Sequence, residues 1–587
     1  MPSHAEVAHP QAIFPDNSSG VTLISMFRSL LLLVVLILSN WALLSIRSSA
    51  ATQPNIILIT LDSTRADRMG FLGSRSGLTP TLDGLARQGI VFERAYAQAP
   101  LTLASHATIL TGTYPQTHQT SELAAPLSAA LPYLPDLLRA HRYRTAAFVG
   151  SIMLDPRNGW APGFDRGFEV YDADFHQSQR LVKRQGDQVV ARTITWLSSN
   201  SRGPFFLWVH LYDAHVPYLT SYDRAVAAAD AALGKLVAAL RAQKVYEDSI
   251  VAVAADHGES LGAHGEDMHG VFLYDETIRV PLLIRLPRNQ MAGQRVKGRV
   301  RLVDVAPTML EAAGVAVPSQ MQGQSLLRIA KTNPDADQPV YSRSDFPQQA
   351  FGWSSLESWR AGKYLYIRAP KPELYDLSAD PGAIRSLAET SQATLATMAA
   401  QLEAFDSHFG NQGGKSATKG LSSSEVQKLA SLGYVGLQKS PSSANPAAAG
   451  TNPKDVIAQA NEILKALLNL SEGKLEKALP TLQQAAKGGT YLAQYGLGVG
   501  LAQQQQYRQA IEHLHKAIEL QPNSPWAHYE MGKSLLKTGD FKTAAVHLDL
   551  ATARLPKFRD AHLLLAESYE HLGRTKEAQA ERNKVSQ

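Results

Sequence analysis

Residues 55–62 read NIILITLD, an apolar run of Ile and Leu closed by a carboxylate. A short run of this kind, without period-two alternation, reads as a strand buried on both faces of a parallel sheet. Comparable runs stand at Thr145–Val149, Phe205–Leu211 and Ile250–Ala254, with longer amphipathic stretches between them. Strands alternating with helices predict a doubly wound α/β domain with a mostly parallel sheet, from residue 54 to about 436.

Ligands of an open α/β sheet sit at the carboxyl ends of its strands. There NIILITLD delivers Asp62, IVAVAADHGE (250–259) delivers Asp256 and His257, and FFLWVHLYDAH (205–215) delivers His210, Asp213 and His215. Alone, each Asp reads as a helix N-cap or a turn residue. Together, Asp62, Asp256 and His257 offer two carboxylates and one imidazole, a set that suits a single divalent cation.

A nucleophile is offered by APLTLASHATILTGTYP (99–115), where Thr102 precedes a helix-like stretch that Gly112 closes. As N-cap, Thr102 would hold its hydroxyl beside unpaired backbone N–H groups, which favour phosphate or sulfate. A threonine hydroxyl attacks only when a base or a metal lowers its pKa. Without the metal cluster, Thr102 is simply a cap.

Outside this region the chain changes character. Residues 29–46 carry no charge, follow Arg28 and precede Ser48, Ser49 and Ala50. At 18 residues the run falls between the ~20 of a spanning helix and a long signal-peptide core. Residues 1–50 therefore read as an export signal cleaved after Ala50 or as an uncleaved membrane anchor, with a buried core helix as the third alternative. Both export readings put the rest of the chain outside the cytoplasm, in the periplasm or cell envelope.

Between Asn411 and Pro453 the chain is rich in Gly, Ser, Ala, Pro and Lys, interrupted by one helix-like piece at 423–432. It reads as a joint, with 437–454 as the linker proper. From 455 to 587 a period of 34 emerges when Pro522 is set on Pro556. Leu497 then falls on Met531, Gly498 on Gly532, Ala510 on Ala544, Leu514 on Leu548 and Ala517 on Ala551. Weaker copies flank these, around Ala478, Leu482 and Ala485 and around Tyr569 and Ala578. Small residues at fixed places let paired helices approach closely, and the pattern resembles the tetratricopeptide (TPR) family, an all-α solenoid. Such an array implies a protein partner or self-association.

Composition narrows the chemistry further. With 587 residues, 44% hydrophobic and 19% charged, the chain is a multidomain globular protein. A net charge of +5 with no basic block argues against nucleic acid as a partner. There is no cysteine, which excludes disulfides, thiolate metal sites and cysteine nucleophiles.

Residues 54 to about 436 resemble the sulfatase branch of the alkaline phosphatase superfamily. The resemblance rests on ordered motifs: PNIILITLDSTRADRMGFLG, APLTLASHATILTGTYPQTHQ, YRTAAFVGS, GPFFLWVHLYDAHVPY, AADHGESLGAHGE, YDETIRVPLLIRLP with LVDVAPTMLEAAGV, and ELYDLSADPGA. It implies that Asp62, Asp256 and His257 bind one divalent metal. Ser63 replaces a second Asp, as in members that resemble phosphonate monoester hydrolases and phosphodiesterases. The imidazole ligand favours Mn, Zn or Fe over Ca.

The family nucleophile is a formylglycine made from Cys or Ser in C/S-x-P-x-R. Here Thr102, Ala104 and His106 occupy the nucleophile, proline and arginine positions. Threonine cannot become formylglycine. It resembles instead the nucleophile of nucleotide pyrophosphatases and phosphoethanolamine or phosphoglycerol transferases, which form a phosphothreonine. His215 matches a histidine that contacts the ester oxygen or protonates the leaving group, and His269 falls near the family's substrate lysine. With Thr102 and His106, these two complete the expected catalytic set.

The expectation is a metal-dependent hydrolase or transferase acting on phospho-esters through Thr102. A sulfuric ester hydrolase without formylglycine is one alternative. A catalytically silent domain joined to a TPR docking scaffold is another.

Overall fold

The run at 55–61 forms β1 (Asn55–Leu61), and all seven residues are buried. Each of its Ile and Leu side chains stabilises the fold by roughly 1.5–3 kcal/mol relative to exposure. β1 pairs in parallel with β5 (Phe205–Leu211) on one side and with β6 (Ser249–Ala255) on the other. Beyond β5 lie β3 (Arg144–Val149) and β4 (Val170–Asp172), also parallel. The four predicted runs thus make the contiguous centre β3-β5-β1-β6 of an eight-stranded sheet.

On the other flank the sheet turns mixed. β7 (Arg279–Arg285) runs antiparallel to β6 and to β2 (Ile90–Tyr96), and β2 pairs in parallel with the edge strand β8 (Arg295–Arg301). A second, antiparallel sheet of β9 (Val340–Ser344), β10 (Leu356–Ala361), β11 (Tyr364–Arg368) and β12 (Glu373–Asp376) follows. Its face is covered by the helix Gln392–Phe409, which lays Met398 and Leu402 on Trp359 and Tyr366.

The computed structural model describes residues 53–120, 126–157, 160–175, 183–218, 221–409 and 450–585. The apolar run 29–46, the residues at the expected cleavage point after Ala50 and the helix-like piece at 423–432 lie outside the described residues. Among the described residues no helix is long and apolar enough to cross a membrane.

The repeat array begins two residues before the expected 455, with Pro453 at the first position of the helix Pro453–Ser471, a place where the missing N–H costs nothing. Lys454, expected in the linker, is therefore helical. Eight described helices form four pairs, the later ones being Tyr491–Gln503 with Tyr507–Leu520, Pro525–Thr538 with Phe541–Arg554, and Arg559–His571 with Thr575–Val585. The aligned glycines have one job: a Cβ on Gly498 would lie 2.7 Å from Leu514 Cγ, and one on Gly532 would lie 2.5 Å from Leu548 Cγ.

A second periodic feature is polar. Gln494 bonds His513 at 2.8 Å, His528 meets His547 at 2.9 Å, and His562 meets Glu581 at 2.6 Å. These pairs sit at equivalent places in successive repeats and tie the first helix of each pair to the second. The described residues from Pro54 onward form one unit. Trp160 stacks on Trp526 with centroids 4.0 Å apart, and Phe351 and Trp353 join the core of the repeats.

Candidate active site

The register of the central strands assembles the site. Thr60 of β1 lies opposite His210 of β5 and Ala254 of β6, so the next residues of all three strands emerge at one edge. The Asp62 N–H donates to Leu211 O at 2.9 Å, and the Asp256 N–H donates to Leu61 O at 3.3 Å. The ligand atoms of Asp62, Asp256 and His257 lie within 4.8 Å of one another, and all three residues are buried.

Asp256 Oδ1 accepts from the backbone N–H of His257 at 2.7 Å and of Ser63 at 3.1 Å. Asp256 Oδ2, though buried, has no hydrogen-bond partner. Ser63, with φ of +50°, donates its hydroxyl to Asp62 Oδ1 at 2.7 Å. The His257 Nδ1–H is held by Gly258 O at 2.9 Å, which leaves Nε2 as a lone-pair nitrogen. Burial lowers its pKa to about 3, so the ring is neutral at ordinary pH. Burial and the Asp62 charge push the Asp256 carboxyl well up. At Asp62 burial is outweighed by His210, His215 and His257, which hold its pKa well below the usual range. An orphaned buried carboxylate oxygen, a second carboxylate and an imidazole lone pair converging on one point are the donor set of a divalent cation.

Thr102 opens the helix Thr102–Thr111, every residue of which is buried. It is the first helical residue, and the expected N-cap position belongs to Leu101. Its hydroxyl therefore does not cap the helix. It lies 3.3 Å from Asp62 Oδ2 and 3.4 Å from His257 Nε2, facing the metal donors. Ser105, one turn on, donates to Asp256 O at 2.6 Å and locks the helix to the end of β6. Gly112 closes the helix in the left-handed region at φ +64°.

The histidines divide. His215 and His269 come together with ring centroids 5.0 Å apart, and His269 lies 4.4 Å from His257. His215 donates Nδ1–H to Val216 O at 2.6 Å, leaving Nε2 for proton transfer. His269 Nδ1 lies 3.0 Å from Glu259 Oε1. Burial lowers the pKa of His269 to about 4 and raises that of Glu259 to about 7.

His106, expected to contact substrate oxygens, is placed differently. It is fully buried, with Nδ1 bonded to Thr102 O at 2.7 Å and Nε2 to Thr60 Oγ1 at 3.0 Å. An arginine at that position could reach a substrate oxygen, whereas this shorter ring is consumed by its own helix and by β1. It supports the backbone of Thr102 from behind.

Thr60 is a residue that the motifs did not single out. Its hydroxyl meets His106, His210 Nδ1 at 3.1 Å and the Trp208 indole N–H at 3.0 Å. Its signal in sequence is a lone hydroxyl in an otherwise apolar run. Glu259 and Tyr218, which meet at 3.2 Å, were likewise missed.

A buried hydroxyl thus faces carboxylate and imidazole groups at the strand ends of a doubly wound sheet. The sulfatase family model matches residues 54–315, and that of the C-terminal region of N-sulphoglucosamine sulphohydrolase matches 264–407. TPR models match 501–539 and 529–582. The chain thus carries sulfatase-type domains, alkaline phosphatase-like, over residues 54–407, followed by C-terminal TPR repeats.

Among relatives, an ulvan-active sulfatase of Formosa agariphila is 26% identical over 390 residues, 56% of this chain and 76% of that protein. Arylsulfatase K of Rattus norvegicus is 23% identical over 430 residues, 58% of this chain and 76% of that protein. Among solved structures, a phosphonate monoester hydrolase of Agrobacterium radiobacter superposes with a TM-score of 0.53 at 20% identity, covering 61% of this chain and 96% of that one. Enzymes of this family use a divalent metal, which agrees with the Asp62, Asp256 and His257 cluster.

Proposed function

We propose that the protein is a metal-dependent phospho-ester hydrolase with Thr102 as nucleophile. The observation that carries this reading is the Thr102 hydroxyl at 3.3 and 3.4 Å from two of the metal donors, in a chain with no cysteine from which formylglycine could be made. A divalent cation on Asp62, Asp256 and His257, with Mn, Zn or Fe favoured by the imidazole, supplies Lewis acidity that makes the hydroxyl acidic and offsets charge on the substrate.

The chain's own residues do the rest. Helix packing fixes the Thr102 hydroxyl, and the nearest basic oxygen for its proton is Asp62 Oδ2. Attack forms the bond from Thr102 Oγ1 to phosphorus as the bond to the leaving oxygen breaks, and the leaving oxygen takes a proton from the imidazolium form of His215 or His269, a form that burial disfavours and the negative charge of the bound substrate favours. Water then attacks the phosphothreonine, losing its proton to the same histidine. Phosphate departs and the hydroxyl is restored. An acceptor alcohol in place of water would make the enzyme a transferase.

The sulfatase names of the relatives favour a second reading, sulfuric ester hydrolysis with direct attack by Thr102. A panel of phosphodiester, phosphonate, phosphomonoester and aryl sulfate, each with Mn, Zn, Fe and Ca, separates the two. Phosphodiester or phosphonate turnover above sulfate turnover supports the first reading, and the reverse order sinks it. We also propose export by 29–46, tested by cell fractionation, and a protein partner or self-association through the repeats.

A further inference from the structure

The stretch 256–278 leaves the sheet at the end of β6 and re-enters it at the start of β7. It carries His257 and Glu259 at one end and His269 further on. Its tip is tightly turned: His264 has φ of +54° and Gly265 φ of +84°. Within it, the Ser260 N–H donates to Met268 O at 2.7 Å and the Gly262 N–H donates to Glu266 O at 2.8 Å. Two backbone groups at the tip find partners outside the catalytic domain. Asn461, in the first helix of the repeats, accepts from the Asp267 N–H at 3.1 Å and donates its amide to Gly265 O at 2.8 Å.

The same helix face holds the stretch at two further points. Ile457 Cγ2 lies 3.4 Å from where a Cβ of Gly265 would be, and Lys454 Nζ donates to Tyr274 OH at 2.9 Å. Lys454 also bonds Glu373 at 2.7 Å and Tyr375 at 3.1 Å. Lys454, Ile457 and Asn461 are spaced i, i+3 and i+7, so they share one face of the helix. Asn461 acts as the edge of a strand would, with one donor offered to Gly265 and one acceptor to Asp267, the residue directly before Met268-His269.

We propose that the first repeat helix is a working part of the active site. Asn461 is a positioning residue that sets the turn 262–268, and through it presents His269 to the oxyanion substrate. This rests on the reading of His269 as a substrate contact. The array then serves the enzyme's own catalysis as well as any outside partner.

The test uses the full chain with Asn461→Leu, which keeps the branching at Cγ and loses both bonds, and Asn461→Asp, which keeps only the acceptor. Lys557→Ala serves as control, since Lys557 pairs with Asp165 at a separate seam between repeats and catalytic domain. Three quantities are compared: hydrogen exchange of peptides spanning 258–270, affinity for inorganic phosphate by calorimetry with metal present, and kcat and KM for bis-p-nitrophenyl phosphate.

In Asn461→Leu, exchange at 258–270 should rise about tenfold, phosphate affinity should fall about tenfold, and kcat/KM should fall by a similar factor, with Asn461→Asp between it and wild type. Lys557→Ala should match wild type in all three. Unchanged exchange, or raised exchange with unchanged phosphate affinity, would overturn the proposal. A wild type that cleaves no phospho-ester would sink the functional reading alone, because the exchange and phosphate comparisons stand without turnover. A wild type that binds no phosphate overturns both.

Discussion

Thr102 Oγ1 lies 3.3 Å from Asp62 Oδ2, although 40 residues separate them in sequence. The pairing exists because β1 ends where the buried helix Thr102–Thr111 begins, and Ser105 fastens that helix to β6. Thr102→Ala should therefore lower kcat by at least ~10³-fold, as loss of a nucleophile does. Metal content and thermal midpoint should stay near wild type. Acid-quenched wild-type enzyme should carry a phosphorylated peptide spanning 99–115, absent from the variant. A variant with full activity would refute nucleophilic attack by Thr102.

Asp256 bears the orphaned buried oxygen, so it should report on the cation by stability alone. Saturating metal at ~100 times its Kd stabilises the native state by about 2.7 kcal/mol, and a chelator removes that increment. In Asp256→Asn the metal-dependent rise in Tm should vanish, while the chelated variant should be at least as stable as chelated wild type, since a buried carboxylate has gone. Calorimetric scans with and without EDTA check both statements.

Acid sensitivity should trace in part to His118. Its Nδ1 accepts from the Thr120 N–H at 3.1 Å, so its proton sits on Nε2, which meets the Thr108 hydroxyl at 3.0 Å. Burial lowers its pKa to about 3, against 6.5 when exposed. Above pH 6.5 neither folded nor unfolded chain binds this proton. From 6.5 down towards 3 only the unfolded chain does, so stability falls by up to ~1.4 kcal/mol per pH unit from this group. His118→Asn should make the fall in urea midpoint between pH 6.5 and 5 shallower by about one proton. An unchanged slope would show that His118 is protonated in the folded state.

In the repeats, Gly532→Ala should destabilise by roughly 1–3 kcal/mol, because the new methyl overlaps Leu548 and close packing cannot absorb it. Leu548→Ala, harmful alone, should cost less in the presence of Gly532→Ala. Strict additivity in that double-mutant cycle would mean that the two residues are not in contact.

The centre of the fold was legible because NIILITLD, FFLWVHLYDAH and IVAVAADHGE are each buried on both faces, and burial writes itself as unbroken apolar sequence. β2 and β8 were not, because IVFERAY and RVKGRVR carry the charges expected near a sheet edge. At the site, the metal donors and Thr102 were readable as residue types at strand and helix ends. Thr102 stands one residue further into its helix than an N-cap, a distinction that sequence does not resolve. His106 was misplaced for a different reason: its chemistry suits a substrate contact, and only packing shows both ring nitrogens already engaged. Asn461 left no trace at all, since a lone amide on an amphipathic helix looks like any solvated residue.

The antiparallel setting of β7 beside β6 has an evolutionary consequence. A crossover between parallel strands must pass over the sheet, so altering its length disturbs the core. The stretch 256–278 instead departs from and returns to the same edge of the sheet. Its two ends are nonetheless fixed, by Asp256 and His257 on one side and by the core residues Val271 to Tyr274 on the other, so a change of length there is absorbed only in the turn between them, where Asn461 would have to follow it.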